Sequence, residues 1–312
     1  MIDLTSPVAT PFRANWNVAP RTDFEFKTGI ITSADGREQR HPLLRYPRVR
    51  VSYECLAAGR AHADRISALL PGLLNRAVVI RDFRLNGAGR VSDDGVLVVM
   101  SEWSASWAPT VRVVIEDDQG MVEHAAVITA ADPAARVLTL DAPAPQAMRG
   151  RFCAVGSAVV SSLDAETDAG VWHAGAVSWN VSATSFGGLD QIGGAPLPDL
   201  PLAQGSEDQM RVSIVRNMSG VDFGIGRRAA ALNYASWTSG FRTYQIEARQ
   251  LGQPAKESLV SFFCGVRGRL RSFWASDLIE GAKFRFASDV LTVEHLSGNV
   301  SQATISVAQV VQ

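Results

Sequence analysis

Two stretches of this chain, "RVSYECLAAGRAHADRISALLPGL" (Arg50 to Leu73) and "TYQIEARQLGQPAKESLVSFFCGV" (Thr243 to Val266), align at one constant spacing of 193 residues. At that spacing Glu54 falls on Glu247, Gly59 on Gly252, Gly72 on Gly265 and Arg76 on Arg269. The apolar phase agrees as well. Val51, Tyr53 and Cys55 alternate with polar residues, as one face of a half-buried strand does, and fall on Tyr244, Ile246 and Ala248. Beyond the shared glycine, Ile66, Leu69 and Leu70 fall on Leu259, Phe262 and Phe263 at helical spacing, so one buried helix face is expected in each copy. Gly72 and Gly265 are expected as left-handed helix ends. A second strand is expected at Ala77–Ile80 and at Leu270–Trp274. A duplicated strand–helix–strand unit is the strongest constraint on the fold.

The remainder of the chain reads as strands. "FEFKTGIITSADGREQR" carries apolar strand residues into an "ADG" turn. "GVLVVMSEWSASW" reads as a strand followed by two exposed tryptophans. "AAVITAADPAARVLTLDAP" is a hairpin pattern that turns at Asp132-Pro133, and the last strands flank an "SGN" turn. The expected fold class is mainly β: two duplicated β-rich units, each with a short α-helix, and a small all-β middle domain, barrel or sandwich. The first unit, with an N-terminal arm, spans residues 1–109, and the middle domain, inserted after it, spans 110–185. A Gly/Pro-rich linker covers 186–209 and the second unit covers 210–312.

The 312 residues carry 30 basic and 31 acidic side chains, which gives no overall attraction to nucleic acid or anionic lipid. No membrane segment or leader is expected from "MIDLTSPVATPF" or from any apolar run. Cys55, Cys153 and Cys264 are odd in number and far apart, which suits core packing better than disulfides or a zinc knuckle. The five histidines form no HExxH pair, so no metal site is expected from them. "DAETD" spaces Asp164, Glu166 and Asp168 alternately but lacks the glycine and distal glutamate of a calcium loop, so it reads as a solvated turn. "GIGRR" lacks the third glycine and the helix that a phosphate cradle needs. No nucleophile elbow or Walker sequence occurs, so neither catalytic residues nor a cofactor site is expected.

The basic residues are almost all arginines, since only Lys27, Lys256 and Lys283 are lysines. A GC-rich genome explains much of this bias. Arg227, Arg228, Arg242, Arg249, Arg267, Arg269 and Arg271 concentrate in the second unit. They are candidates for phosphate binding or for a charged subunit interface; without a basic excess or a base-stacking platform, the interface is the reading taken.

"FKTGIITSADGREQRHPLLRYPR" (Phe26 to Arg48), followed by "LLPGLLNRAVVIRDF" (Leu69 to Phe83), resembles distal tail and baseplate hub proteins at the tail tip of long-tailed bacteriophages and gene transfer agents. "TSGFRTYQIEARQL" through "FFCGVRGRLRSFWASDL" resembles the same element. The resemblance covers about half the chain and leaves out the middle section. It implies a structural virion protein at the tail tip, made in the host bacterial cytoplasm, with no catalytic residues or cofactor. Its implied partners are its own copies in a ring, the tail tube, and the tape-measure and hub or fibre proteins. Two ring-forming units per chain could give a pseudo-sixfold ring from three copies, favoured over six, and so join a sixfold tube to threefold parts. A carbohydrate-binding tail component is the alternative, with Trp103, Trp107, Trp172 and Trp179 as its aromatic platform.

Overall fold

The computed structural model describes the chain except residues 1–2, 11–13, 33–37, 59, 74–75, 118–122, 164–168, 174–175, 186–209, 216–218, 226–227, 235–240, 276–277, 279–281 and 311–312. The fold is mainly β, with 56% strand, and the described residues include two α-helices.

The first half opens with β1 (Asp3–Ala9), β2 (Arg21–Glu25), the hairpin of β3 (Thr28–Thr32) and β4 (Glu38–Pro42), β5 (Arg48–Ala58) and α1 (Arg60–Leu73). It continues through β6 (Arg76–Val91), β7 (Leu97–Met100), β8 (Arg112–Glu116), β9 (Glu123–Asp132), β10 (Val137–Leu140), β11 (Phe152–Leu163), β12 (Ala169–His173) and β13 (Ala176–Ser185). The second half has β14 (Met210–Val215), the hairpin of β15 (Ser219–Ile225) and β16 (Arg228–Tyr234), β17 (Phe241–Leu251) and α2 (Gln253–Val266). β18 (Phe273–Trp274), β19 (Lys283–Phe286), β20 (Val290–His295) and β21 (Ser301–Gln309) complete it.

Both halves run strand, separate hairpin, strand, helix. The bounds of β5 and α1, moved by the spacing of 193, are the bounds of β17 and α2. Tyr53 and Ile246 occupy the same position on these strands, and both are buried. The pairing partners correspond too. β5 lies antiparallel between β2 and β13, and β17 lies antiparallel between β14 and β21. β13 pairs onward with β12, and β21 with β20.

Among the described strand pairings, the antiparallel pair β2–β20 joins these sets. The order β14–β17–β21–β20–β2–β5–β13–β12 is therefore one antiparallel sheet of two four-stranded modules in tandem. The two modules share one hydrophobic core. Val51, Tyr53 and Ile66 of the first half belong to the same buried cluster as Ile246, Phe262, Phe263 and Phe286 of the second. Both helices contribute to it, and α2 does so more fully, burying Leu259, Phe262 and Phe263. In α1 Ile66 is buried, but Leu69 is 40% exposed, so the expected apolar face is incomplete in the first copy.

The helix ends also differ from expectation. Gly72 and Gly265 lie inside their helices, and the left-handed residues after α2 are Arg267 (φ 58°) and Gly268 (φ 59°). Their amides donate to the carbonyls of Cys264 at 3.2 Å and Phe263 at 3.1 Å, satisfying two groups at the helix terminus. A side chain at position 268 would also meet Asp289 Oδ1 at 2.9 Å.

The middle section is a closed barrel of six antiparallel strands, in the cyclic order β6–β7–β10–β9–β8–β11. The hairpin expected at Asp132-Pro133 forms its β9–β10 turn. Val98, Ile115, Ile128, Leu138, Met148 and Val155 fill its interior. A boundary at 109/110 cuts through this barrel, since Leu85, Val91, Val98 and Met100 are part of its core. At the other end, β13 belongs to the first module's sheet. The barrel is thus inserted within the first unit, beginning partway along β6 and ending partway along β11. In the second unit the corresponding place is taken by the short β18–β19 pair, which explains why only two strand residues form at Phe273–Trp274. Trp107 is buried in the barrel core and Trp103 packs against that core, so the two tryptophans read as exposed seal the barrel. The expected linker 186–209 and the "DAETD" turn lie outside the described residues.

Candidate assembly surface

The tandem sheet has two unlike faces. Inward, β17 buries Tyr244, Ile246 and Ala248, β5 buries Val49, Val51 and Tyr53, and β20 buries Leu291 and Val293. Outward, the alternate positions carry Gln245, Glu247 and Arg249 on β17, Arg50, Ser52 and Glu54 on β5, and Thr292 and Glu294 on β20. β2 adds Arg21 and Asp23, and β21 adds Gln302 and Thr304. Strict alternation makes one wall dry and the other wet. The polar groups hold one another across strands. Arg21 Nη2 donates to Thr292 Oγ1 at 3.1 Å, and Thr292 Oγ1 donates to Asp23 Oδ1 at 2.7 Å, bridging the two modules. Gln302 Nε2 donates to Glu294 Oε2 at 2.6 Å, and within β17 Arg249 pairs with Glu247 at 2.7 Å. A polar trough of about 380 Å³ crosses β17, β21 and β20 here, lined in part by Glu247, Arg249, Glu294 and Gln302.

Among the described residues, the arginines singled out in the sequence stand on different elements. Arg249 stands on the polar face, and Arg242 is exposed at the start of β17. Arg228 begins β16, and Arg227 lies outside the described residues. Arg267, Arg269 and Arg271 occupy the turn after α2. Arg267 caps the helix, and the Arg269 amide donates to Asp289 Oδ1 at 2.9 Å. Arg271 is exposed and reaches the Gly265 carbonyl at 3.5 Å.

Sequence reasoning missed the role of Glu38, which ties the β3–β4 hairpin to the second module. Arg285 grips it in a fork, Nε to Oε2 at 2.9 Å and Nη2 to Oε1 at 2.7 Å. Arg40 stands 3.7 Å away and donates through Nη1 to the Arg269 carbonyl at 3.3 Å. Burial raises the Glu38 pKa, but the Arg285 hydrogen bond and the charges of Arg285, Arg40 and Arg269 outweigh it and hold the carboxyl below its ordinary range. Asp289 completes the attachment, accepting from Thr28 N at 2.8 Å and Thr28 Oγ1 at 2.9 Å.

A second feature, a buried joint, was also invisible as such in the sequence. Across from Ser157 on β11, β6 carries four residues, Asp82 to Leu85, between its paired positions Arg81 and Asn86. This bulge separates the part of β6 in the sheet from the part in the barrel. Phe83 has φ 58° and is 1% exposed. Its ring meets Tyr53 and Trp16 edge-on, with His295 of the second module on another side. Lys256 on α2 donates to the Phe83 carbonyl at 3.1 Å, and Gln253 to the Arg84 carbonyl at 2.7 Å. Asp82 is fully buried, paired with Arg84 at 2.7 Å and hydrogen-bonded by the Ser157 hydroxyl. Burial raises its pKa, yet the charge and hydrogen bonds of Arg84, with Ser157, leave it lowered. Burial lowers Lys256 to about 8 and, with the Lys256 charge, His295 to about 3. A neutral His295 bridges the Thr22 and Ser301 hydroxyls at 3.1 and 3.2 Å. The first module, the barrel and the second module all meet at these residues. The signal in the sequence is the break in apolar alternation at "RDFRL".

Among the described residues the arrangement offers a polar sheet face, two modules joined through β2 and β20, and a strand at each end of the sheet, β14 and β12, that pairs on one side. No protein-family model and no curated protein matches the chain.

Proposed function

We propose that this chain is a structural protein of the tail tip of a long-tailed bacteriophage or gene transfer agent. It forms a ring that extends the tail-tube channel and connects it to the hub and receptor-binding parts. Three copies supply six modules, so the ring matches a sixfold tube above and threefold parts below. Its partners are its own copies, the tail tube, and the tape-measure and hub or fibre proteins of the same tail. It is made in the host bacterial cytoplasm and acts in the virion, and its work is assembly.

One observation supports this reading above the others: two four-stranded modules lie in tandem in one antiparallel sheet with a polar outer face and an apolar inner one. A channel wall needs a wet lining and subunits that meet side by side. A sheet that repeats along its own hydrogen-bonding direction provides both, and ring closure removes the remaining edges. The test is the mass and symmetry of the tail tip. A reconstruction is expected to show three copies at one level. Six copies in that layer would discard the pseudo-sixfold arrangement and keep the ring, whereas absence of the chain from the tail tip would overturn the assignment.

A further inference from the structure

The tandem sheet begins at β14 and ends at β12. Among the described residues, β14 pairs only with β17, and β12 only with β13. Their counterparts in the opposite module are covered. β2, the counterpart of β14, has β20 on that side, and β20, the counterpart of β12, has β2. The chain therefore contains one worked example of how the end of one module meets the start of the next.

We propose that β12 of one chain pairs antiparallel with β14 of a second copy, repeating the internal β20–β2 junction, with Ala169 opposite Val212 of the neighbouring copy. The register follows from the internal one. Thr22 on β2 faces Val293 on β20. Thr22 also faces Val51 on β5, whose counterpart Tyr244 faces Val212 on β14. Val293 faces Ala303 on β21, which faces Ala248 on β17. The counterpart of Ala248 is Cys55, which faces Trp179 on β13, and Trp179 faces Ala169 on β12. Val212 and Ala169 thus stand where Thr22 and Val293 stand. The direction fits as well, since every neighbouring pair along the sheet is antiparallel.

The occupant is a second copy because the internal junction already shows a module end of this kind accepting a module start. An uncovered strand edge is a template for pairing, and here its complement is carried by the same chain. The contact is heterologous, so it closes a ring or propagates. The proposal rests on the ring reading for its biological setting but needs only self-association to be tested.

Opposed residues on antiparallel strands have Cα atoms about 4.5–5.5 Å apart, within disulfide reach. The native cysteines Cys55, Cys153 and Cys264 are all buried and leave the assay clear. Full-length Ala169→Cys and Val212→Cys chains are mixed under mild oxidation, with Gly170→Cys and Arg211→Cys, the next opposed pair, as a second set. Each mixture is expected to give disulfide dimers and nothing larger, each single variant alone none, and the double variant Ala169→Cys/Val212→Cys a ladder of higher species. Two results would overturn the proposal: no dimer in either mixture, or a dimer from one single variant alone, which marks a twofold contact. Cross-linking by a chain that is absent from tail tips would sink the tail assignment and leave this edge standing. A tail-tip ring that fails to cross-link would do the reverse.

Discussion

Phe83 adopts a left-handed backbone without being glycine, at a cost of about 1–2 kcal/mol, and full burial of its ring offsets that. Beside it, burial first and then the Lys256 charge keep His295 neutral, against the opposing pull of Asp82. This has a pH consequence with a definite sign. The unfolded imidazole takes a proton near its ordinary 6.5, while burial and the Lys256 charge depress the folded one to about 3. Between those values the unfolded state binds more protons, so stability falls as pH falls from 6.5 towards 3. Denaturant titrations are expected to show a slope of up to about 1.4 kcal/mol per pH unit in that window. His295→Gln, which keeps a donor and an acceptor without titrating, is expected to flatten the slope above pH 5, where carboxylates contribute little; an unchanged slope would show that His295 is not its source. The sequence marks Phe83 as an aromatic standing two polar residues beyond the apolar run Ala77–Ile80. That it lies in a bulge depends on the partner strand, whose single residue Ser157 stands across from four.

At the scale of elements, the correspondence of β5–α1 with β17–α2 is legible because alternation and helical spacing are local properties of the chain. The helix ends are not: Gly72 and Gly265 fit a left-handed cap by type, yet the helix runs past both, and the turn is taken where Asp289 accepts from the Arg269 amide and leaves no room for a side chain at Gly268. The placement of the arginines shows the same limit. Closeness in sequence put Arg249 and Arg269 together, whereas one lies on the polar face and the other in the turn after α2. The partners that matter are distant, as with Glu38 and Arg285. Glu38→Gln is expected to cost about 2 kcal/mol of hairpin attachment, the scale of a charged hydrogen bond. Amide exchange in β3 and β4 should then accelerate at least about tenfold while the barrel amides are unchanged. Equal acceleration throughout would place Glu38 in global stability instead. Because the arginines hold the Glu38 pKa low, the same attachment persists above the ordinary carboxylate range and is lost as pH falls below it.

For the whole molecule, duplication and the β character are readable from sequence, while the separation into independent units is not. The shared cluster around Phe262, Phe263, Tyr53 and Phe24 arises from β2 pairing with β20 nearly the whole chain length away, and no window of residues records that. A protease site introduced between residues 186 and 209 makes this measurable. After cleavage, the two pieces are expected to co-elute under native conditions and to unfold in one transition, since each would otherwise expose its half of the core. Separation on a sizing column would mean that each module stands alone. The barrel is different again: it joins the sheet through β6 and β11, two paired strands that continue from one into the other across the Asp82–Leu85 bulge. A flexible tether would let such an appendage swing. Here a paired ribbon, stiffened at its bend by Phe83 and the Asp82–Arg84 pair, acts as a short beam, so a load on the barrel's far end reaches the sheet as torque.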